Sequence, residues 1–173
     1  MPLQQPTKDF LKYLKRNPAI RDQIRAAPGK TLLYAGRFFK PMWKEIEELK
    51  RGNPQAWDKQ TLPDVLVRIL TPGSGFNNLL LYTQDVEGRV PWKPDGFVVW
   101  RALSGIFAAN ASGAVSFQIG SGVKADEKVF AVTEVSVLLR NPNIDATTRD
   151  LLEYYVRCVQ SKNADINVGQ MAG

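Results

Sequence analysis

No histidine and a single cysteine, Cys158, occur in this 173-residue chain, so its fold must rely on an apolar core rather than on an intramolecular disulfide or a Cys/His zinc site. One cysteine cannot close an intramolecular disulfide, and a structural zinc needs about four Cys/His ligands. Length and composition permit such a core. A chain of this size buries about 70% of its extended surface on folding, and 44% of the residues are hydrophobic against 23% charged. A single domain over residues 1–173 is expected. The same absence removes chemistry: catalytic zinc sites, Ser-His-Asp and Cys-His arrangements, and any base built on imidazole. What remains is chemistry by Glu, Asp, Lys, Arg, Ser or Tyr, or binding with none. No metal site is expected.

The apolar pattern and its punctuation predict the elements. Thr7 is placed to cap a helix from Lys8, with Asp9 in its first turn and Phe10, Leu11 and Leu14 inward. Asn17-Pro18 ends that helix and opens a second, which stops at Pro28-Gly29. Thr31 to Ala35 reads as a strand, Pro41 to Arg51 as a helix, and Leu62 to Leu70 as a helix with Thr61 as cap and Asp64 at N3. Asn78 to Thr83 and Phe97 to Trp100 read as strands, with Ala102 to Ala111 helical. Ala114 to Ile119 and Val129 to Leu139 read as strands, the second apolar on both alternations like a strand covered on both faces. Asp145 caps a last helix to about Ser161, with Leu151, Leu152, Tyr155, Cys158 and Val159 inward. Helices early and strands late predict an α+β fold: a helical N-terminal half, a mostly antiparallel sheet in the C-terminal half, and the terminal helix packed on it.

Charge is distributed unevenly. Up to Arg51 there are 12 Lys/Arg against 5 Asp/Glu, a net of +7; beyond it there are 11 against 12. The basic excess therefore lies wholly in a helical N-terminal portion of about residues 1–51, and such asymmetry points to an anionic partner. The opening Met1-Pro2-Leu3-Gln4-Gln5-Pro6 lacks the basic and apolar regions of a signal peptide. No apolar run reaches the roughly 20 residues of a membrane span. A cytoplasmic protein is the expectation, although signal-independent secretion would leave the same trace.

Within the basic portion, Lys8, Lys12, Lys15 and Arg16 fall on one stripe of the first helix, and Arg21 and Arg25 are spaced i, i+4 on the second. Tyr34, Arg37, Phe38, Phe39, Lys40, Trp43 and Lys44 then mix cations with rings. Cations neutralise phosphates, and exposed rings such as Phe38 or Trp43 can stack on bases at about 1–3 kcal/mol each. RNA or single-stranded DNA is the expected partner, with no cofactor. In a nucleoprotein assembly the apolar body would pack on neighbouring copies. The plainer alternative makes the rings core and the cations a solvated face. An anionic membrane surface ranks lower, because the apolar face of the first helix is narrow and has no Trp.

Arg101 and Glu134 each interrupt an apolar segment, Val98-Val99-Trp100 before the first and Ala131-Val132 before the second. A charge in such a place needs a partner or a cleft. A desolvated carboxylate is one route to a general base without histidine, while a structural Arg–Glu pair is the plain alternative. Arg37 after Leu32-Leu33-Tyr34, Ser116 in Val115-Ser116-Phe117 and Glu134 before Val135-Ser136-Val137 follow an order that resembles the ADP-ribosyltransferase toxins. The resemblance implies a small transferase in which Arg37 and Ser116 hold NAD and Glu134 polarises the ribose hydroxyl. It departs from that pattern in lacking the Ser-Thr-Ser motif and in having Ser136 where a second acidic residue is often found. A histidine-free ribonuclease using Lys, Arg and Glu134 lies between transferase and binder.

Two further patterns have plainer explanations. Ala27-Pro28-Gly29-Lys30-Thr31 ends like a phosphate-binding loop, but Ile24 stands where its leading glycine belongs, and a strand follows it where a helix is needed. Gly120-Ser121-Gly122 suits an ordinary hairpin. Cys158 reads as a small core residue with no cation beside it to activate it.

Overall fold

The computed structural model of the chain describes residues 2–35, 47, 48, 50–52, 58–69, 91–119, 133–160, 170 and 171. Helix α1 spans Gln5–Arg16 and α2 spans Pro18–Gln23. The break between them is local in origin. Proline disfavours a helical conformation in the residue before it, and Asn17 lies at φ −121°, ψ 78°. The Asn17 amide turns back to donate to Tyr13 O at 2.8 Å, covering a carbonyl left open at the end of α1. Strand β1, Thr31–Ala35, follows. Helix α3 is Leu62–Ile69, with the expected reciprocal cap: Thr61 N–H donates to Asp64 Oδ2 at 3.0 Å, and Asp64 N–H to Thr61 Oγ1 at 3.4 Å.

A π-helical turn, Trp92–Gly96, runs directly into α4, Phe97–Ala109. Strand β2 is Val115–Ile119, helix α5 Val135–Arg140, helix α6 Ala146–Gln160 and strand β3 Gln170–Met171. The expected strand at Phe97–Trp100 is instead the first turn of α4. Its β-branched and aromatic residues favour extended backbone, but packing decides: Val99, Trp100, Leu103, Phe107 and Ala108 are all buried. The end of α2 is earlier than expected, at Gln23. The described part of the expected strand at Val129–Leu139 is also helical, a π-helical turn at Thr133–Glu134 continuing into α5. An apolar run without alternation suits a buried helix as well as a buried strand. Of the helix expected over Pro41–Arg51, residues 47, 48, 50 and 51 are described and helical; the rest of it, Asn78–Thr83 and the Cys158 side chain lie outside what is described.

Among the described residues the expected mostly antiparallel sheet in the C-terminal half is not formed. The described residues are mostly helical, and their main strand pairing is parallel, β1 with β2, in register from Thr31↔Val115 to Ala35↔Ile119. The short β3 adds an antiparallel edge through Phe117↔Met171 and Gln118↔Gln170. A parallel pair needs a long crossover, and here α3 and α4 lie within it. The side chains Thr31, Leu32, Leu33, Val115, Ser116 and Phe117 are all buried, so the pair is covered on both faces, as parallel sheets usually are.

One core joins the basic portion to the rest: Phe10 and Leu14 of α1 share it with Leu66, Leu103, Phe107, Phe117, Leu138 and Leu152. Several helix ends are closed by side chains distant in sequence. Asn110 Nδ2 donates to Arg21 O at 2.8 Å and Ile24 O at 3.0 Å, covering the end of α2. Asn141 Nδ2 reaches Ala108 O at 2.9 Å and Ala111 O at 2.8 Å, at the end of α4. Arg149 covers the end of α5, through Leu139 O and Asn141 O, both at 2.8 Å. Asp145 caps α6 as expected, accepting from Thr148 N–H at 2.8 Å. The turn at Gly29 meets Gly113 closely. Both have φ above +70° or at it, and a Cβ on Gly113 would lie 3.1 Å from Gly29 N. Pro28-Gly29 is therefore a packing turn into β1.

Candidate polyanion-binding face

The stripe on α1 is built by helix geometry. At about 100° per residue, Lys8, Lys12, Lys15 and Arg16 occupy roughly 100° of arc, whose centre faces away from the arc of Phe10 and Leu14. Phe10 is 0% exposed and Leu14 4%, so the core fixes how α1 is rotated and the four cations point outward. All four are exposed, and none makes a side-chain hydrogen bond or ion pair among the described residues. Asp9, at the edge of the stripe, accepts from Gln5 Nε2 at 2.8 Å on the same helix.

Arg25 is exposed and its Nε donates to Asp22 O at 2.7 Å. Arg21 is half-buried, and its Nε is enclosed without a partner among the described residues. The rings Phe38 and Trp43 and the cation Arg37 lie outside the described residues. The face as described is thus cationic.

The N-terminus of α1 is held by a residue missed in the sequence. Asp95, fully buried in the π-helical turn before α4, accepts with Oδ2 from Gln4 N–H at 2.9 Å and Thr7 Oγ1–H at 2.6 Å. Thr7 is accordingly not the cap residue. The helix starts earlier, with Pro6 in its first turn, where no intrahelical donor is required. Pro94-Asp95-Gly96 carries only a turn signal, and a partner about 90 residues away leaves no trace in local sequence.

Ser116 and Glu134 both lie in the interior. Ser116 is 2% exposed on β2, its Oγ without a partner among the described residues. Glu134 is 6% exposed at the start of α5, and its pKa is pushed up to about 8 by burial; the Ser104 hydroxyl, hydrogen-bonded to it, acts in the opposite direction more weakly. At neutral pH it is therefore mainly a protonated acid. Arg101 is exposed on α4, so the structural pair considered for Arg101 and Glu134 is not formed; Ser104, an unremarked polar residue in an apolar helix, is the partner of Glu134. The adjoining Thr133 Oγ1 is buried and has no partner among the described residues.

Among the described residues no group of three or more His, Cys, Asp or Glu could hold a metal ion, and no helix is long and apolar enough to cross a membrane. No protein-family model, curated protein or solved structure matches the chain.

Proposed function

We propose that the outward face of α1 binds single-stranded nucleic acid, RNA or DNA, through its phosphates. The observation that supports this most is the set of four exposed cations, Lys8, Lys12, Lys15 and Arg16, set opposite the buried face of their helix and without carboxylate partners among the described residues. Phosphate contacts of this kind position a strand without reading its sequence, and their strength falls with salt as counterions are released. Arg25 extends the positive surface beyond α2. A membrane-surface role fits less well, since the apolar face that would enter the lipid boundary is occupied by the core through Phe10 and Leu14.

The test is binding of a labelled oligouridylate across a salt series, with a variant in which Lys8, Lys12, Lys15 and Arg16 are changed to Ala. Each phosphate neutralised on a single strand contributes about 0.7 to the slope of log affinity against log salt. The wild-type chain should show a steep slope, and the variant should lose up to about 3 of it. Absence of wild-type binding at low salt would overturn the proposal.

A further inference from the structure

We propose that Asp95 is a positioning residue for the cationic face: its buried carboxylate, carried by the turn before α4, holds the first turn of α1 and so keeps Lys8 in line with Lys12 and Lys15. The proposal rests on the polyanion reading of α1. Gln4, at the N-cap position of α1, makes no side-chain cap, and the first turn contains no acidic residue. The orphan donors of a helix N-terminus require some acceptor, and a negative group there is favoured by the helix dipole. Asp95 Oδ2 supplies both, with one bond to the N-cap amide and one to the Thr7 hydroxyl one residue before Lys8. Lys8 N–H in turn donates to Gln4 O at 3.2 Å, so the residue gripped by Asp95 also closes the turn that carries the first cation.

The direction of the grip matters. The carboxylate is fully buried, while Lys8 is exposed, so Asp95 anchors the helix from the interior rather than from the surface that would meet phosphate. A turn held in advance loses less freedom on binding than one that must first order itself. Asp95 Oδ1 is buried without a partner among the described residues, leaving Oδ2 as the atom through which the grip is exerted.

The experiment uses the full chain, with Asp95→Ala, Thr7→Val and Thr7→Ser. Two readouts are taken under conditions where each variant is folded by circular dichroism: amide exchange at Gln4 and Lys8, and the salt slope for a labelled oligouridylate. Asp95→Ala and Thr7→Val should speed exchange at both amides and lower the slope by about 0.7, one phosphate, while Thr7→Ser, which keeps the hydroxyl, should retain both wild-type values. If Asp95→Ala does not fold, Thr7→Val and Thr7→Ser carry the same comparison with the carboxylate intact. Unchanged exchange and slope, or faster exchange with an unchanged slope, would overturn the positioning role. If the wild-type chain does not bind, the polyanion reading fails and the positioning of a binding face fails with it; exchange alone then reports whether Asp95 holds α1.

Discussion

Glu134 shows how one buried acid sets a pH dependence for the whole chain. In the unfolded state its carboxyl titrates near the ordinary 4.5, whereas burial raises it to about 8 in the fold. Between those values the folded state holds a proton that the unfolded state releases. Stability therefore falls as pH rises, by about 1.4 kcal/mol per pH unit from this group. Its contribution is fully present below about 4.5 and is lost by the time pH has passed about 8. Asp64 and Asp145 act in the opposite sense and only in acid. Burial raises Asp64, but Lys50 and Thr61 together pull it below its ordinary value; the Thr148 hydroxyl and amide pull Asp145 down. Denaturant melts at pH 5 and pH 8 should show the wild type weakening, while Glu134→Gln, neutral throughout, should lose most of that difference. Equal pH dependence in the two proteins would mean that Glu134 is charged inside the fold.

The helices depend on one another for their ends. Asn141 is the clearest case: 3% exposed, it donates to Ala108 O and Ala111 O and accepts from Asn143 N–H at 2.8 Å. Those carbonyls close α4 next to the turn that enters β2, and Arg149 reinforces the corner by donating to Asn141 O. Leaving buried acceptors without donors costs about 1–3 kcal/mol. Asn141→Ala should destabilise the chain by that amount or somewhat more, read as a lower denaturation midpoint with an unchanged slope, while Asn143→Ala, whose exposed side chain has no described bond, should stay within about 0.5 kcal/mol. Equal effects would remove Asn141 as the organiser of the corner. Of the three residues that carry the resemblance to ADP-ribosyltransferase toxins, Ser116 on β2 and Glu134 just before α5 are both buried, and Arg37 lies outside the described residues.

At the scale of the molecule, the basic helix α1 is built into the body. Phe10 and Leu14 lie in the same core as Leu103 and Phe107 of α4, so the cationic face is presented by the folded chain rather than by a detachable arm. Truncating a large buried aromatic typically costs about 3–5 kcal/mol. Phe10→Ala should lower a single cooperative unfolding transition by about that amount. A small early transition confined to α1, with the main one unmoved, would show instead that the basic helix folds apart from the rest. Since the core fixes the rotation of α1, Phe10→Ala should also weaken oligouridylate binding where the chain stays folded.

Local chemistry by itself determined several elements. Asn17-Pro18 fixes the break between α1 and α2 because proline restricts the residue before it. Thr61 and Asp64 open α3 by a bond within one turn, Asp145 opens α6 in the same way, and the short apolar runs ending at Ala35 and Ile119 give β1 and β2. The spacing of Lys8, Lys12, Lys15 and Arg16 was equally legible, since a stripe follows from the helical period. Tertiary structure decided the rest. Whether Phe97–Trp100 and the residues at Val135–Leu139 are strand or helix depends on what covers them, because a short apolar run satisfies either period. The parallel pairing of β1 with β2, the burial of Glu134 against Ser104, and the grip of Asp95 on α1 all join residues far apart in the chain. No neighbouring residue carries a trace of such a partner, so only the folded packing could reveal them.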